Sequence, residues 1–321
     1  MPCLTGHLFL SILLLFGHNL IPQSTEGATS LLKPLKMRRI TLLTNPDKCN
    51  LHCPLCFLNQ RALLNCGDGC EFGMGEMSFE IAHAAIEKYA AARDASGNRI
   101  LREVIPSTMG EPLLYSHFDE LLEFCRLIGI PLNLTTNGTF PGKWAHESAM
   151  ELLLRSCSDI KVSHLASEQF DGWKANVEKL LNVRNRLSEA VTVSLQVTLH
   201  RKNMDVVPYL VEWASSIGIA RIKWNPVVFL SVAPAELKSE FALDVGLDKV
   251  RSLILDATAR CGGKVRNEGS LFMKIPCGHF SQVDDTCPFT DEVWILPDGS
   301  EDHCPNPERR YVDKNAGCCF L

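Results

Sequence analysis

Apolar residues recur in two different rhythms from residue 40 onward, and each rhythm predicts one type of element. Short apolar, β-branched runs predict six strands, at residues 40–44, 103–107, 131–136, 159–163, 191–199 and 220–227. Between these runs, apolar residues recur at i, i+3, i+4 and i+7, which is typical of helices with one buried face. The clearest such stripe comprises Phe118, Leu121, Leu122, Cys125 and Ile128.

Two details of the pattern locate particular elements. Ser78 has the hydroxyl side chain that commonly caps a helix, and a helix is predicted from there to about residue 93. Another helix is predicted around residues 144–156. After a helical stretch near residues 247–261, the chain becomes rich in loops, with a hairpin predicted at residues 293–299 around Pro297-Asp298-Gly299.

Six βα units in series predict an α/β fold whose parallel sheet curls as a partial (β/α)6 TIM-like barrel. Three regions are predicted: a leader or extension at residues 1–36, the partial barrel at 37–262, and a small, loop-rich and cysteine-rich C-terminal extension at 263–321. The carboxyl ends of the strands share one rim, where such barrels place their chemistry. Residues at those strand ends are therefore the candidates for a site.

Composition and charge narrow the functional classes. The chain has 321 residues, 46% of them hydrophobic and 21% charged, which is enough for one large core. The formal net charge is −5, and no block of lysine and arginine extends beyond Arg38-Arg39, which argues against a nucleic-acid partner. Fourteen cysteines, bunched in one loop and near the C-terminus of so long a chain, indicate metal ligation rather than disulfides.

The N-terminal residues complicate the choice of compartment. Residues 8–16 (LFLSILLLF) form an apolar run that is too short to span a bilayer and is closer to the apolar part of a signal peptide. The preceding MPCLTGH contains no lysine or arginine, which a signal peptide would have. Met37, just before the first predicted strand, is an alternative start. We favour a dispensable or mispredicted leader, and a cytoplasmic protein, over a targeting or membrane-anchoring segment.

Three cysteines, Cys49, Cys53 and Cys56, follow the first predicted strand in a C-x3-C-x2-C spacing. Three thiolates in one short loop can hold three corners of a [4Fe–4S] cube, whereas the usual protein-bound cube takes four cysteines. One iron then stays open to an exogenous ligand, the arrangement that separates catalytic from structural metal sites. The alternatives are a zinc knuckle, which would need a fourth Cys or His at close range, and a chance cluster of cysteines.

This loop, at the first strand end of an α/β pattern, resembles that of the radical S-adenosylmethionine (radical SAM) enzymes, and the resemblance covers most of residues 38–227. It implies that SAM binds the open iron through its amino and carboxylate groups. It also implies that the reduced cube cleaves SAM to a radical that abstracts hydrogen, with an electron from a donor such as flavodoxin or ferredoxin. The cofactors carry this chemistry, and the protein orients them.

The resemblance extends to the end of the second predicted strand. The run Met109-Gly110-Glu111-Pro112 looks like the family's glycine–glutamate–proline motif, whose backbone and acid receive the SAM ammonium. Glycine lets a backbone approach a ligand closely, and a carboxylate suits an ammonium. Met109 replaces the usual first glycine. The resemblance therefore implies that Gly110 and Glu111 bind SAM.

Polar residues at other strand ends are weaker candidates for SAM binding. Ser163 ends the fourth predicted strand, where relatives hold the SAM ribose, while Asn137 and Gln196 offer polar contacts from the third and fifth. Polar residues at strand ends are also common as caps and turn formers. A general base is not identified, because three residues are candidates by polarity alone: His164, Glu168 and Asp302.

The C-terminal cysteines suggest a second metal centre. The run Cys287-x11-Gly299-x4-Cys304 resembles the auxiliary-cluster segment of the SPASM and twitch extensions behind many radical SAM barrels, the single-cluster twitch type fitting better. The resemblance implies an auxiliary [4Fe–4S] cluster. Its four ligands would be Cys277, Cys287, Cys304 and either Cys318 or Cys319. A structural zinc site using the same thiolates is the alternative.

The remaining cysteines have less definite roles. Cys66 and Cys70 form a second C-x3-C pair, either a redox or ligand pair or, as we favour, incidental thiols in an exposed insertion. Cys125 and Cys157 are predicted to be thiols of the core.

The substrate is open between two classes. One hypothesis is a maturase that modifies a ribosomally made peptide, as many barrels with such extensions do. The other is a small-molecule dehydrogenase or cyclase, in which a lone auxiliary cluster accepts the substrate electron. A binding module without turnover is a third reading, against which Gly110 and Glu111 argue.

Overall fold

The computed structural model describes residues 37–62, 74–106, 109–164, 170–187, 191–272, 292–304, 306–313 and 316. Several predictions concern residues outside these ranges. They are the leader at 1–36, the Cys66 and Cys70 pair, Glu168, and the auxiliary-cluster cysteines Cys277, Cys287, Cys318 and Cys319.

The strands of the described residues form a single sheet. They are β1 (Arg39–Leu42), β2 (Glu103–Pro106), β3 (Leu132–Thr136), β4 (Cys157–His164), β5 (Thr192–Leu199), β6 (Arg221–Pro226), β7 (Arg266–Glu268), β8 (Glu292–Ile295) and β9 (Glu301–Asp302). Their spatial order is β7-β6-β5-β4-β3-β2-β1-β8-β9. All neighbours pair in parallel except β8 and β9, which are antiparallel. The predicted α/β fold with a mainly parallel sheet is confirmed.

Helices connect the strands, as parallel pairing requires. They are α1 (Phe57–Ala62), α2 (Phe79–Ala90), α3 (Phe118–Leu127), α4 (Glu147–Ser156), α5 (Phe170–Leu187), α6 (Val207–Ser216), α7 (Ala235–Phe241), α8 (Leu247–Arg260) and α9 (Pro307–Tyr311). Ser78 caps α2 as predicted, its side chain accepting a hydrogen bond from the Ile81 N–H. In the described part of the chain, no helix has both the length and the apolar character to cross a membrane.

The predicted helix at 144–156 is shorter in the structure. Trp144 lies in a separate 3-10 turn, Gly142–Ala145, and α4 begins only after His146, whose backbone is extended. The Trp144 ring packs edge-on against Phe118, and its Nε1–H donates to the Leu113 carbonyl oxygen. This tertiary anchor holds the indole where a continuous helix would not place it, so packing overrides local helical preference.

The predicted hairpin is present as β8 and β9, with Gly299 at φ +84° in the turn. Its position in the sheet was not predicted. Strand β8 pairs in parallel with β1, so that Thr41 lies opposite Trp294 and Leu42 opposite Ile295. The first strand of the sheet is therefore flanked by β2 on one side and by a strand from the C-terminal extension on the other.

One face of the sheet carries a buried network of charged and polar side chains. Lys161, only 1% exposed, contacts the Asn133 side-chain oxygen and lies 3.4 Å from Asp159. Asp159 also pairs with Arg221, and the Asn133 amide donates to Glu103 over 3.0 Å. Buried charges are costly unless they are paired, and here each named group has a partner of opposite charge or a hydrogen bond. The network fixes the relative positions of strands β2, β3, β4 and β6.

His164, at the end of β4, gives the fold a testable dependence on pH. Its ring packs against Phe170 and Trp173, and neither ring nitrogen has a hydrogen-bond partner among the described residues. Burial, together with the nearby His200, lowers the pKa of His164 to about 4. The folded chain therefore keeps this ring neutral at pH values where the unfolded chain protonates it.

We expect the free energy of unfolding to fall as the pH is lowered from about 6.5 towards 4, because the unfolded state then binds the additional proton. Replacing His164 with Phe should make this dependence shallower, by at most about 1.4 kcal/mol per pH unit. Urea unfolding at pH 7 and pH 5 measures the difference, and His83→Phe, at a half-buried histidine, is the control. Equal pH dependence in wild type and His164→Phe would contradict this account of His164.

Candidate metal centre and cofactor site

The loop that carries Cys49, Cys53 and Cys56 lies between β1 and α1. All three cysteines are half-buried thiols. The Cys56 N–H donates to the Cys53 carbonyl oxygen over 3.0 Å, and the Cys56 carbonyl accepts from the Gln60 N–H over 2.9 Å. The third cysteine thus leads directly into α1, and the two-residue spacing places Cys53 and Cys56 on one turn. Within the described ranges, no three His, Cys, Asp or Glu side chains are grouped closely enough to hold a single metal ion.

Gly110 is where the segment after β2 meets the base of the cysteine loop. Its φ is +73°, and a Cβ here would overlap the Asn45 carbonyl oxygen and lie 2.8 Å from that of Lys48. The backbone of the next residue, Glu111, fixes this close contact. The Glu111 N–H donates to the Lys48 carbonyl oxygen, and the Asn45 side-chain amide donates to the Glu111 carbonyl oxygen over 2.7 Å. Glycine is needed because both the dihedral angle and the space exclude a side chain.

The Glu111 carboxyl group joins this segment to the end of β3. It is 1% exposed. One oxygen accepts from the Thr136 hydroxyl over 2.7 Å and from the Leu113 N–H over 3.3 Å, and the other accepts from the Asn137 N–H over 2.7 Å. Burial raises the pKa of Glu111 to about 7, although these three donors favour the ionised form. The carboxyl group is therefore held rigidly at the carboxyl end of the sheet.

Asn137 carries the connection back to the cysteine loop. Its side-chain amide lies 3.7 Å from the Cys49 sulfur and donates to the Asn50 side-chain oxygen over 2.9 Å. The Leu51 N–H also donates to the Cys49 sulfur, over 3.4 Å. Burial raises the pKa of the Cys49 thiol, and the negative charge of Glu111 raises it further. The hydrogen bonds from Leu51 and Asn137 act in the opposite direction. Cys49, Glu111 and Asn137, predicted separately from the sequence, thus lie in one hydrogen-bonded group.

Ser163 and Gln196 lie on β4 and β5, the next two strands after β3 in the sheet, and Val162, which precedes Ser163, pairs with Thr136 at the end of β3. Ser163 and Gln196 are register partners, and Gln196 is in turn opposite Lys223 on β6. The Gln196 side-chain oxygen is buried without a hydrogen-bond partner among the described residues. Burial, with smaller effects from Lys161 and Arg221, lowers the pKa of Lys223 to about 7. The structure thus places Ser163 next to Gln196, and Lys223 beside Gln196.

Sequence reasoning did not identify Asn45, Thr136 or Lys223. The alternation in Arg221-Ile222-Lys223-Trp224 is a signal that could have placed Lys223 on the same face as Arg221. Asn45 and Thr136 act through contacts with segments remote in sequence, so local patterns contain no comparable signal for them.

Cys304 is the candidate auxiliary ligand that lies within the described residues, and its backbone is firmly held. The Cys304 N–H donates to the Asp302 carboxylate over 2.9 Å, while Arg310 donates to the Cys304 carbonyl over 2.7 Å and also pairs with Asp302. The Arg310 guanidinium stacks 4.1 Å from the Trp294 ring centroid, and Arg309 lies 3.9 Å from the Cys304 sulfur. Asp302, a candidate base by polarity, instead forms part of this clamp.

No family model matches the chain. Fe-coproporphyrin III synthase of Methanosarcina barkeri is 24% identical over 218 residues, which cover 66% of this chain and 50% of that protein. PqqA peptide cyclase of Streptomyces rochei is 26% identical over 192 residues, covering 57% and 46%.

These similarities support the radical SAM superfamily of enzymes as the family of this chain. The predicted family is thereby confirmed. The chain spans about half the length of the curated relatives it matches.

Solved structures of this superfamily share the fold. Streptococcus suis SuiB bound to S-adenosylmethionine superposes with a TM-score of 0.59 and 16% identity, over 87% of this chain and 62% of SuiB. The structure of anSMEcpe with bound AdoMet and the Cp18Cys peptide gives a TM-score of 0.50 and 16% identity, over 71% of this chain and 63% of that protein.

The packing at Gly110 can be tested by one substitution with a matched control. Gly110→Ala should lower the free energy of unfolding of the metal-free protein by about 2 kcal/mol more than Gly129→Ala, because only the former overpacks the backbone. Gly129 has a similar φ of +65°, but no atom lies within 4 Å of the Cβ position. Urea denaturation measures both values. Equal decreases in the free energy of unfolding would show that the cysteine loop moves to accommodate a Cβ at Gly110 at no cost.

Proposed function

We propose that the chain reductively cleaves S-adenosylmethionine at a [4Fe–4S] cluster held by Cys49, Cys53 and Cys56, and modifies a substrate by hydrogen abstraction. The observation that carries this proposal is the hydrogen-bonded group of Cys49, Glu111 and Asn137, which joins the three-cysteine loop to the candidate SAM residues. The partial (β/α)6 barrel is part of the proposal, supported by strands β1 to β6 pairing in parallel and in chain order.

The three thiols suit a [4Fe–4S] cube with one open iron, because each thiol would bind a different iron. The donor set is three half-buried thiols on one loop, which serves three irons and leaves the fourth for SAM. When bound, the cube and SAM supply the one-electron chemistry. The protein's contribution is to hold the ligands and to surround them with donors. The Asn137 amide, 3.7 Å from the Cys49 sulfur, is such a donor, and hydrogen bonds to ligand sulfurs tune cluster potentials.

Glu111 retains capacity for a ligand ammonium. A carboxylate offers about four lone-pair positions, and three donors among the described residues occupy Glu111. In the proposal, Gly110 provides close backbone approach and Glu111 accepts from the SAM amino group. Gln196 has a buried oxygen without a donor in the described part of the chain, so a SAM hydroxyl bound beside Ser163 would satisfy it.

An auxiliary [4Fe–4S] cluster of the twitch type is also proposed, with Cys304, Cys277, Cys287 and either Cys318 or Cys319 as ligands. The clamp of Asp302 and Arg310 supports this, because it fixes the Cys304 backbone as a metal ligand requires. A structural zinc site with the same thiolates is the alternative, and metal analysis distinguishes the two.

A peptide is the substrate class that we propose. The support is that PqqA peptide cyclase is among the relatives, and that SuiB, solved with its precursor peptide SuiA, shares the fold with a TM-score of 0.56. A small-molecule reaction is the second candidate, favoured by the similarity to Fe-coproporphyrin III synthase. The electron donor in either case is proposed to be a flavodoxin or ferredoxin.

Cluster assembly and SAM cleavage should depend on the three-cysteine loop. Cys53→Ala should abolish release of 5′-deoxyadenosine from SAM after anaerobic reconstitution and reduction, because two thiolates cannot hold the cube. Cys261→Ala, which changes a half-buried thiol outside the loop, is the control and should retain activity. Undiminished cleavage in Cys53→Ala would remove the basis for assigning this loop.

The auxiliary cluster predicts a specific iron count. Reconstituted wild type should bind about eight irons, and the double variant Cys287→Ala with Cys304→Ala about four, since each cube holds four. SAM cleavage without substrate should persist in the double variant, whereas turnover of the substrate should fall. One zinc and four irons in wild type would instead establish a structural zinc site.

A further inference from the structure

The Gln60 side chain connects the cysteine loop to a segment that is remote in sequence. Gln60 lies on α1 and is 0% exposed. Its Nε2 donates to the Leu55 carbonyl over 2.9 Å and to the Val228 carbonyl over 3.3 Å, and its Oε1 accepts from the Leu230 N–H over 2.8 Å. One side-chain amide therefore hydrogen-bonds to the backbone of the cysteine loop and to the backbone of residues 228–230.

The position of Leu55 makes this contact relevant to the metal centre. Leu55 lies between Cys53 and Cys56, so the Gln60 bond acts on the part of the loop that sets the spacing of these two thiols. Neighbouring Asn59 donates to the Cys53 carbonyl, which is a contact within the same segment. Gln60 differs because it ties the loop to residues that follow β6.

The segment after β6 is in turn packed against the C-terminal helix. The Ser231 N–H donates to the Glu308 carboxylate of α9 over 2.9 Å. The Phe57 and Tyr311 rings lie 6.3 Å apart. These rings belong to a small apolar core that is completed by Met109, Val228 and Leu230. The cysteine loop, the segment after β6 and α9 therefore form one packed unit, with Gln60 as its buried polar connection.

We propose that Gln60 is a positioning residue that fixes the Cys53–Cys56 part of the loop relative to the segment after β6, and thereby sets the environment of the cluster. The amide is suited to this role because it presents a donor to two carbonyls and an acceptor to an N–H. The proposal rests on the proposed function only in that this loop holds a cluster.

The structural part of the proposal can be tested without metal or SAM. Gln60→Glu keeps the oxygen that accepts from the Leu230 N–H but loses the two hydrogen bonds donated to the Leu55 and Val228 carbonyls. Gln60→Met has a side chain of similar length and loses all three hydrogen bonds. Hydrogen exchange of the metal-free protein, resolved by peptide, should show about tenfold faster exchange of residues 51–60 in both variants, the rate change that corresponds to one lost hydrogen bond. Residues 227–231 should exchange faster mainly in Gln60→Met.

A matched control separates this effect from general destabilisation. Asn203 is also a buried amide, 1% exposed, and its side chain bonds the His200 N–H and the Thr198 carbonyl at the end of β5. Asn203→Asp should destabilise the fold without accelerating exchange in residues 51–60. Unchanged exchange there in both Gln60 variants, or equal acceleration in Asn203→Asp, would overturn the proposal.

The reconstituted protein provides the second measurement. In Gln60→Glu the cluster should show altered EPR g-values and a shifted midpoint potential, while Asn203→Asp should match wild type. Wild-type spectra and potential in Gln60→Glu would overturn the positioning role. A failure of the proposed function is distinguishable, because wild type itself would then assemble no cluster on this loop while the exchange result stood.

Discussion

The candidate site depends on the way Glu111 is bound. Its backbone N–H and carbonyl are bonded to the base of the cysteine loop, and its buried carboxyl group is bonded to the end of β3. Three segments that are distant in sequence are thus fixed by one residue. Oriented donors offset part of the cost of burying this carboxyl group, and burial still raises its pKa to about 7. Side chains held in place in this way would need little rearrangement to bind a cofactor.

The sheet and most of its helices could be predicted from the sequence because each is encoded locally. The stripe from Phe118 to Cys125 is buried on α3 as its spacing indicates. Gly110 and Glu111 could be named as candidates because they form a short motif at a strand end. Their actual contacts could not, since the space that excludes a Cβ at Gly110 is defined by the carbonyls of Asn45 and Lys48.

The features that could not be predicted from the sequence depend on contacts between residues that are far apart in the chain. Gln60 stands in a run with no distinctive pattern, and its role depends on backbone groups of Val228 and Leu230. The pairing of β8 with β1 likewise depends on a register between the two ends of the described chain. Trp144 shows the opposite case, in which a helical pattern gives way to a tertiary contact. Such features are set by packing rather than by local propensity.

The parallel pairing of β1 with β8 also affects how the protein is made. Strand β1, which leads into the cysteine loop, is synthesised well before its second neighbour, because β1 ends at Leu42 and β8 begins only at Glu292. Contacts of such high sequence separation form late, after the entropy of closing a long loop has been overcome. Until β8 docks, β1 and the cysteine loop that follows it lie at an open edge of the sheet. The surroundings of the cysteine loop are therefore completed only when β8 has paired with β1.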